Sequence, residues 1–516
     1  MAERSQRRSR WRWAGIAAVV LFLAAVARFW HPVYGFTEFF QLDASNDDLK
    51  ISEFRNLPVY VYRDTGGYDG LYYAQIAIDP SLRDPELPRA MDNLSYRARR
   101  ILPSALAWIA GAGRPAAVIT AYSLINVVAW LLLAVLLWRV LRVRELRGFI
   151  AWAGVMFSAG ALVSVRLALT DLIALTLTTA MLAAAERGRK ITALGCAAAA
   201  ALSRETSILA VAGLTKRPWI SWKNAVRVVA AALPLAAWLA YVRFRVGPAD
   251  QGWGNLTWPV WGFIRKWAAA VEAPFHLDDP WLAWTSLLAL GGLTVQAAFI
   301  LARPRWSDRW WRVGAAFVVL MAFCGTAVWE GFPGAVFRVL LPLTLAFNVL
   351  AARERASLWW LLIGNLTVFA GGLTLVHVPS DPTELTAGRW GNTAGIVHEG
   401  PGWYDREQAS GHRWMWARQD GSVTLEAWPK ADARIRIVFG LRSLDARTVL
   451  LRQDGHEIWR GPADSMRAVH QVDIDVKGGR AVLDFSTTTP PVPEPGGSPR
   501  QLAFALYDLR FAVPER

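Results

Sequence analysis

The hydrophobic pattern changes character near residue 378. Before it, long apolar runs alternate with short basic stretches; after it, apolar and polar residues alternate in short runs. The long runs predict membrane spans near 14–30, 116–141, 148–164, 167–185, 191–203, 206–215, 224–243, 281–302, 313–329, 336–351 and 357–377, about eleven in all. The pieces at 191–203 and 206–215 are short for a crossing and suit a broken or re-entrant hairpin around "SRETS". With this count, "RVLRVRELR", "ERGRK", "TKRPWISWK", "RPRWSDRWWR" and "AARER" fall on one side, as cytoplasmic loops do. The basic N-terminus joins them. Ala25-Val26-Ala27 would suit signal cleavage, but the run into "RFWHPVY" reads better as a retained span with an aromatic interface. An odd number of spans puts two large regions outside: the first loop, 31–100, and the segment 379–516.

The tail reads as a β domain. "SVTLEAW", "ARIRIVFGL", "RTVLLRQDGHEIWRG", "HQVDIDV", "RAVLDFST" and "LAFALYDLRFAV" alternate with period two. Asp454-Gly455 and Gly478-Gly479 mark hairpin turns, and "TTTPPVPEPGGSPR" a long loop. The fold expected is therefore an all-α polytopic membrane domain, 1–378, followed by an all-β sandwich or jelly roll, 379–516. Of the tail's tryptophans, Trp403, Trp414, Trp416, Trp428 and Trp459, core packing is the expected fate for most, with carbohydrate stacking as the alternative.

Composition agrees: 54% of the 516 residues are hydrophobic and 19% charged, too few charges for an ordinary soluble chain. The net charge of +15 lies mostly in the short loops, which argues against a nucleic-acid partner. Cys196 and Cys324 sit in apolar segments without metal-ligand neighbours and read as small core residues.

Several charged residues lie where the pattern does not expect them. Asp69 opens "DGLYYAQIAID", which reads as a short amphipathic helix on the membrane; there a carboxylate serves either as a helix cap or as a catalytic base. Arg97, Arg99 and Arg100 stand at an outer membrane edge, against the charge trend, as does Arg338 in "FRVLLP". Guanidinium groups there call for a phosphate or a loop carboxylate. Arg166 with Asp171, and Arg204 with Glu205, put charges inside apolar stretches, either pairing helices or lining a cavity.

These residues resemble a family. "YDGLYYAQIAID" is similar to the first-loop segment of the GT-C superfamily of polytopic glycosyltransferases, "YRARRILPSALAWI" to the basic, proline-containing segment that follows, and Arg338 before "LLP" to a late outer-loop arginine. The resemblance implies a sugar transferase using a polyprenyl-phosphate-linked donor, with a glycan or glycolipid acceptor; the Ala/Arg/Trp-rich composition and the topology fit a bacterial inner membrane with the C-terminal domain periplasmic or extracellular. The resemblance assigns Asp69 as the catalytic base. Arg97, Arg99, Arg100 and Arg338, with Tyr68 and Tyr72, become substrate-binding residues, and Glu38 orients the acceptor or a metal. Gly70 stands where some subgroups carry a second acid, so a divalent metal is admitted but not demanded. The competing readings are a transporter or flippase of lipid-linked glycans, which predicts internal symmetry, and a non-catalytic glycan-binding membrane protein.

Overall fold

The computed structural model describes residues 2–46, 48–248 and 253–512, leaving out the side chains of 2–9 and 253. Two compact units emerge. One comprises 1–29, 36–54 and 60–378; the other comprises 30–35, 55–59 and 379–516.

The first unit is helical. Among the described residues, four of its helices are long and apolar enough to cross a membrane: Arg10–Ala27 within Ala2–Ala27, Pro115–Leu141, Trp222–Val246 and Pro280–Ala302. Leu146–Met156 and Ala159–Arg166 make a fifth crossing if counted as one span bent by 41°. The remaining expected spans are shorter or interrupted. The stretch 336–351 divides into Val336–Val339 and Leu341–Arg353, and 357–377 into Leu358–Gly364 and Thr367–Leu373. The expected eleven therefore become a smaller set of full-length helices plus broken ones.

Each break exposes backbone groups that need partners in an apolar setting. At 364–366 the neighbours supply them. Gln296 Nε2 donates to the Gly364 carbonyl (2.6 Å), and Asn348 and Asn365 exchange side-chain hydrogen bonds at 2.9 and 2.7 Å. Around "SRETS", the helix Lys190–Ser203 ends and a 3-10 helix, Glu205–Leu214, leads back. At 1.5 and 2.0 Å per residue each arm reaches about 20 Å, short of the ~30 Å hydrocarbon core. The hairpin apex thus lies within the helical unit, where Arg204 is buried.

The helix that Asp69 precedes, Gly70–Ile78, differs from the surface helix expected. Seven of its nine residues are buried. Gln75 is fully buried and donates to the Leu49 and Ala90 carbonyls while accepting from the Ile51 amide. Gly70 is required by close packing, since a Cβ there would lie 2.5 Å from the Leu167 carbonyl oxygen and 3.2 Å from the Phe40 backbone. A second acid after Asp69 would not fit.

The second unit is a β-sandwich. The six-stranded sheet runs His456–Ala463, Arg447–Gln453, Arg480–Ser486, Gly421–Trp428, Thr393–Glu399, Glu384–Trp390. The five-stranded sheet runs Ala468–Val476, Ala433–Arg442, Ala505–Ala512, His412–Trp416, Glu407–Ala409. Alternate residues of both sheets, among them Leu425, Ile437, Phe439, Leu451, Leu483 and Phe485, form the core. Asp454-Gly455 turns a hairpin with both residues at positive φ, pairing Gln453 with His456. Gly478-Gly479 likewise closes a two-residue turn, with Lys477 and Arg480 exchanging backbone hydrogen bonds (3.1 and 3.0 Å), and there the chain passes from Ala468–Val476 in one sheet to Arg480–Ser486 in the other. Trp403, Trp416 and Trp428 are buried, Trp414 stacks on Tyr507, and Trp459 packs on Phe439.

Candidate active site

Asp69 occupies the N-cap position, yet its side chain makes no capping hydrogen bond. Its carboxylate turns to two arginines: Arg97 Nη1 at 2.8 Å and Arg338 Nη2 at 3.6 Å. Arg97 also grips Asp92 with two hydrogen bonds, of 3.0 and 2.6 Å. These carboxylates hold the Arg97 guanidinium firmly protonated despite its burial, and burial, which would raise Asp92, is outweighed by Arg97 so that its carboxyl sits below the usual range. Arg97 is therefore anchored on one side and offers Asp69 a fixed partner on the other.

These residues line one cavity of about 670 Å³, together with Asn93, Tyr96, Arg99, Arg100, Arg204, Glu205, Thr206, Asn255 and Cys324. Its walls come from the first loop, the hairpin apex at 204–206, the segment 254–256 and the stretch 320–339.

The ion pairs are not those that sequence adjacency suggests. Asp171, buried, pairs with Arg204 at 2.5 Å and Arg338 at 3.4 Å. Glu205 receives two hydrogen bonds from Arg100, at 2.9 and 2.8 Å. Arg166 leaves Asp171 altogether and donates to the Glu38 carbonyl (3.1 Å) and the Tyr62 hydroxyl (2.7 Å). Residues adjacent on a chain point in different directions, so Arg204 and Glu205 reach separate partners.

The arginines differ in how committed they are. Arg100 is heavily committed: besides Glu205 it donates to the hydroxyls of Tyr73 (2.7 Å) and Tyr96 (3.2 Å). Arg97, Arg99 and Arg100 all approach the ring of Tyr96, at 5.6, 5.2 and 5.2 Å, whose π face eases their mutual repulsion. Arg204 and Arg338 each keep a buried Nε without an acceptor, and the buried Thr206 hydroxyl likewise has none. Five arginines face three carboxylates around the cavity, leaving it cationic.

Of the other expected site residues, Tyr68 accepts from Arg338 (3.3 Å) and lies beneath its guanidinium, while Tyr72 lies under Arg97 at 5.0 Å. Glu38 does not join them: it is buried beside Arg166 and Tyr62 and is not part of the cavity lining. Tyr96, Arg204, Glu205, Thr206 and Asn255 complete the site. For Tyr96 a sequence signal existed, an aromatic residue set against three arginines; Asn255 carries none.

Asp69, Asp92, Asp171 and Glu205 are each engaged by arginine, and among the described residues no group of three or more His, Cys, Asp or Glu side chains gathers to hold a metal.

No family model matches the chain, and no curated protein matches it in sequence. Among solved structures, the crystal structure of ArnT from Cupriavidus metallidurans in the apo state is similar at a TM-score of 0.35 and 16% identity, over 68% of this chain and 60% of that one. The chain thus spans less than two thirds of that protein, and at this distance the chemistry of the cavity has to speak for itself.

Proposed function

We propose that this protein is an inverting glycosyltransferase that moves a sugar from a polyprenyl-phosphate donor to a hydroxyl of a cell-surface glycan or glycolipid. The observation that carries the reading is the convergence of the Asp69 carboxylate with arginines that have spare donors, in one cavity of the helical unit.

In this reading Arg338 and Arg204, with Thr206, take the donor phosphate, because they hold the unused N–H and O–H groups. Arg97 serves Asp69, and Arg100 braces the wall through Glu205. The acceptor oxygen attacks the anomeric carbon as the bond to the phosphate oxygen breaks. Asp69 takes the acceptor's proton, and the polyprenyl phosphate leaves with its charge on the arginines. One displacement inverts the anomeric centre and asks for one carboxylate on the acceptor side. A phosphate arriving at Arg338 also competes with Asp69 for that guanidinium, so donor binding loosens the base from one of its two partners. The site faces the outer side of a bacterial inner membrane, with the β domain outside as well.

The test is direct. Purified protein in nanodiscs is offered a panel of polyprenyl-phosphate sugars with mixed glycan acceptors. Release of polyprenyl phosphate tied to glycan gain is the expected result. Movement of lipid-linked glycan across liposomes without cleavage identifies a flippase instead.

A further inference from the structure

The helix Trp261–Glu272 buries its lysine while exposing several large apolar residues. Trp261, Ile264 and Val271 are about half exposed, while Gly262, Lys266 and Ala270 are buried. Outward apolar residues, continued by the exposed Trp258 and Phe275, fit a helix lying in a membrane interface. A lysine on such a helix normally extends toward water. Lys266 does the opposite: at 5% exposure its Nζ donates to the Gly331 carbonyl (2.5 Å) and stands 4.6 Å over the Phe332 ring. No ion pair to a carboxylate is found for it among the described residues, and burial pushes its ammonium down to about 8. A buried cation with one carbonyl and one ring as company is costly to keep.

What it holds is the turn that leads to Arg338. Gly331 and Gly334 both adopt positive φ, and a Cβ on Gly334 would lie 2.7 Å from the Trp329 carbonyl oxygen. The turn has little freedom to move once Gly331 is fixed. The same helix braces the preceding residues. A Cβ on Gly262 would lie 2.3 Å from the Cys324 carbonyl oxygen, and Phe263 packs on Trp329. Just before the helix, Thr257 and Val260 donate to the carbonyls of Phe323 (3.0 Å) and Ala322 (2.6 Å), and Gly325 donates to that of Asn255 (2.7 Å). Val260, β-branched, is held at φ 67°, a strained conformation that persists only where its surroundings impose it. Cys324, Ala327, Val328, Ala335 and Arg338 of the braced stretch line the cavity.

We propose that Lys266 is a positioning residue: through the Gly331 carbonyl it sets the 330–335 turn, and so the place from which Arg338 reaches Asp69 and the donor phosphate. The role given to Arg338 rests on the glycosyltransferase reading; the mechanical link from Lys266 to the turn does not.

The experiment therefore has two arms. Full-length wild type, Lys266→Met and Lys266→Arg are compared in nanodiscs. The first arm is hydrogen exchange of the peptide covering 330–338. Lys266→Met is expected to exchange about tenfold faster there, the size of one lost charge-assisted hydrogen bond, with no change in helix Pro115–Leu141. Lys266→Arg is expected to recover most of the protection. The second arm measures transfer from a polyprenyl-phosphate sugar. kcat is expected to fall about tenfold in Lys266→Met with KM within a factor of about two, as for weakened stabilisation of charge that develops on the leaving phosphate. Unchanged exchange at 330–338, or faster exchange throughout the helical unit, overturns the proposal. If wild type transfers no sugar but the local exchange effect appears, the glycosyltransferase reading falls and the link from Lys266 to the turn stands. Should Lys266→Met fail to fold, Phe332→Leu opens the other side of the contact and is read by the same exchange peptide.

Discussion

The cavity and the β domain handle charge in opposite ways. In the sandwich, Arg436 meets Asp473 directly across a strand pair, and Arg460 meets Glu457 three residues away, with side chains between about a quarter and two thirds exposed. Such pairs cost little and contribute little. Around the cavity, Arg100 reaches a carboxylate 105 residues distant and Arg338 one 167 residues distant, and Asp171, Arg100, Arg204 and Arg338 are all nine-tenths buried or more. Taking these charges out of water is expensive, and a hydrophobic cluster of the same volume would usually be at least as stable. The sandwich shows that this chain can build an apolar core. Among the described residues the sandwich buries one arginine, Arg447, paired with Asp445; the cavity gathers four mutually linked or neighbouring buried charges, Asp171, Arg100, Arg204 and Arg338, where an anionic substrate and a base would be used.

That contrast is open to measurement. The largest effect on stability is expected from Asp171→Asn, which strips the buried counter-charge from Arg204 and Arg338 together; a loss of about 3–5 kcal/mol would be seen as a lowered unfolding midpoint in nanodiscs. Arg338→Gln is expected to reduce kcat/KM for the donor by about 10²–10³, as for removal of one preorganised donor to a developing negative charge, while Arg338→Lys restores only part because it loses the fork. Both are read in the transfer assay. Lys266 adds a pH signature. Its folded pKa is about 8 against 10.5 for a free lysine, so the unfolded chain binds more protons between those values. Stability should consequently rise with pH from about 8 to about 10.5, and Lys266→Met should remove that rise; midpoints recorded at pH 7 and pH 10 decide it. The smallest effect falls in the sandwich: Arg436→Ala should cost about 0.2–1 kcal/mol and leave transfer rates unchanged. A large loss there would erase the contrast.

The sequence made the sandwich legible wherever strands alternate cleanly, as in 421–428 and 433–442. The edge pair Glu384–Trp390 and Thr393–Glu399 escaped it: the first is half-buried along its length, the second buried at four consecutive positions, and neither shows a period of two. Gly478-Gly479 is the turn its sequence indicates, but local turn chemistry does not say which sheet the next strand joins. In the helical unit, Arg97, Arg99, Arg100 and Arg338 stand out as charges placed against the positive-inside trend, and Asp69 by its place at the start of an aromatic amphipathic segment. Their partners do not, because hydropathy carries no information about which distant turns meet. Glu38 was drawn in by its place after the first span, but burial beside Arg166 sets it apart from the cavity. Lys266 was invisible for a related reason: one lysine among aromatic residues reads as an exposed charge until the turn it holds is seen.

The central claim is that Asp69 is a base and not a cap. The decisive measurement is single-turnover sugar transfer by Asp69→Asn against wild type in nanodiscs, with saturating polyprenyl-phosphate sugar and acceptor and with unfolding midpoints recorded alongside. The account predicts a loss of about 10²–10⁴ in rate with donor binding retained, since the arginines remain. A folded Asp69→Asn protein that transfers sugar at the wild-type rate would contradict it.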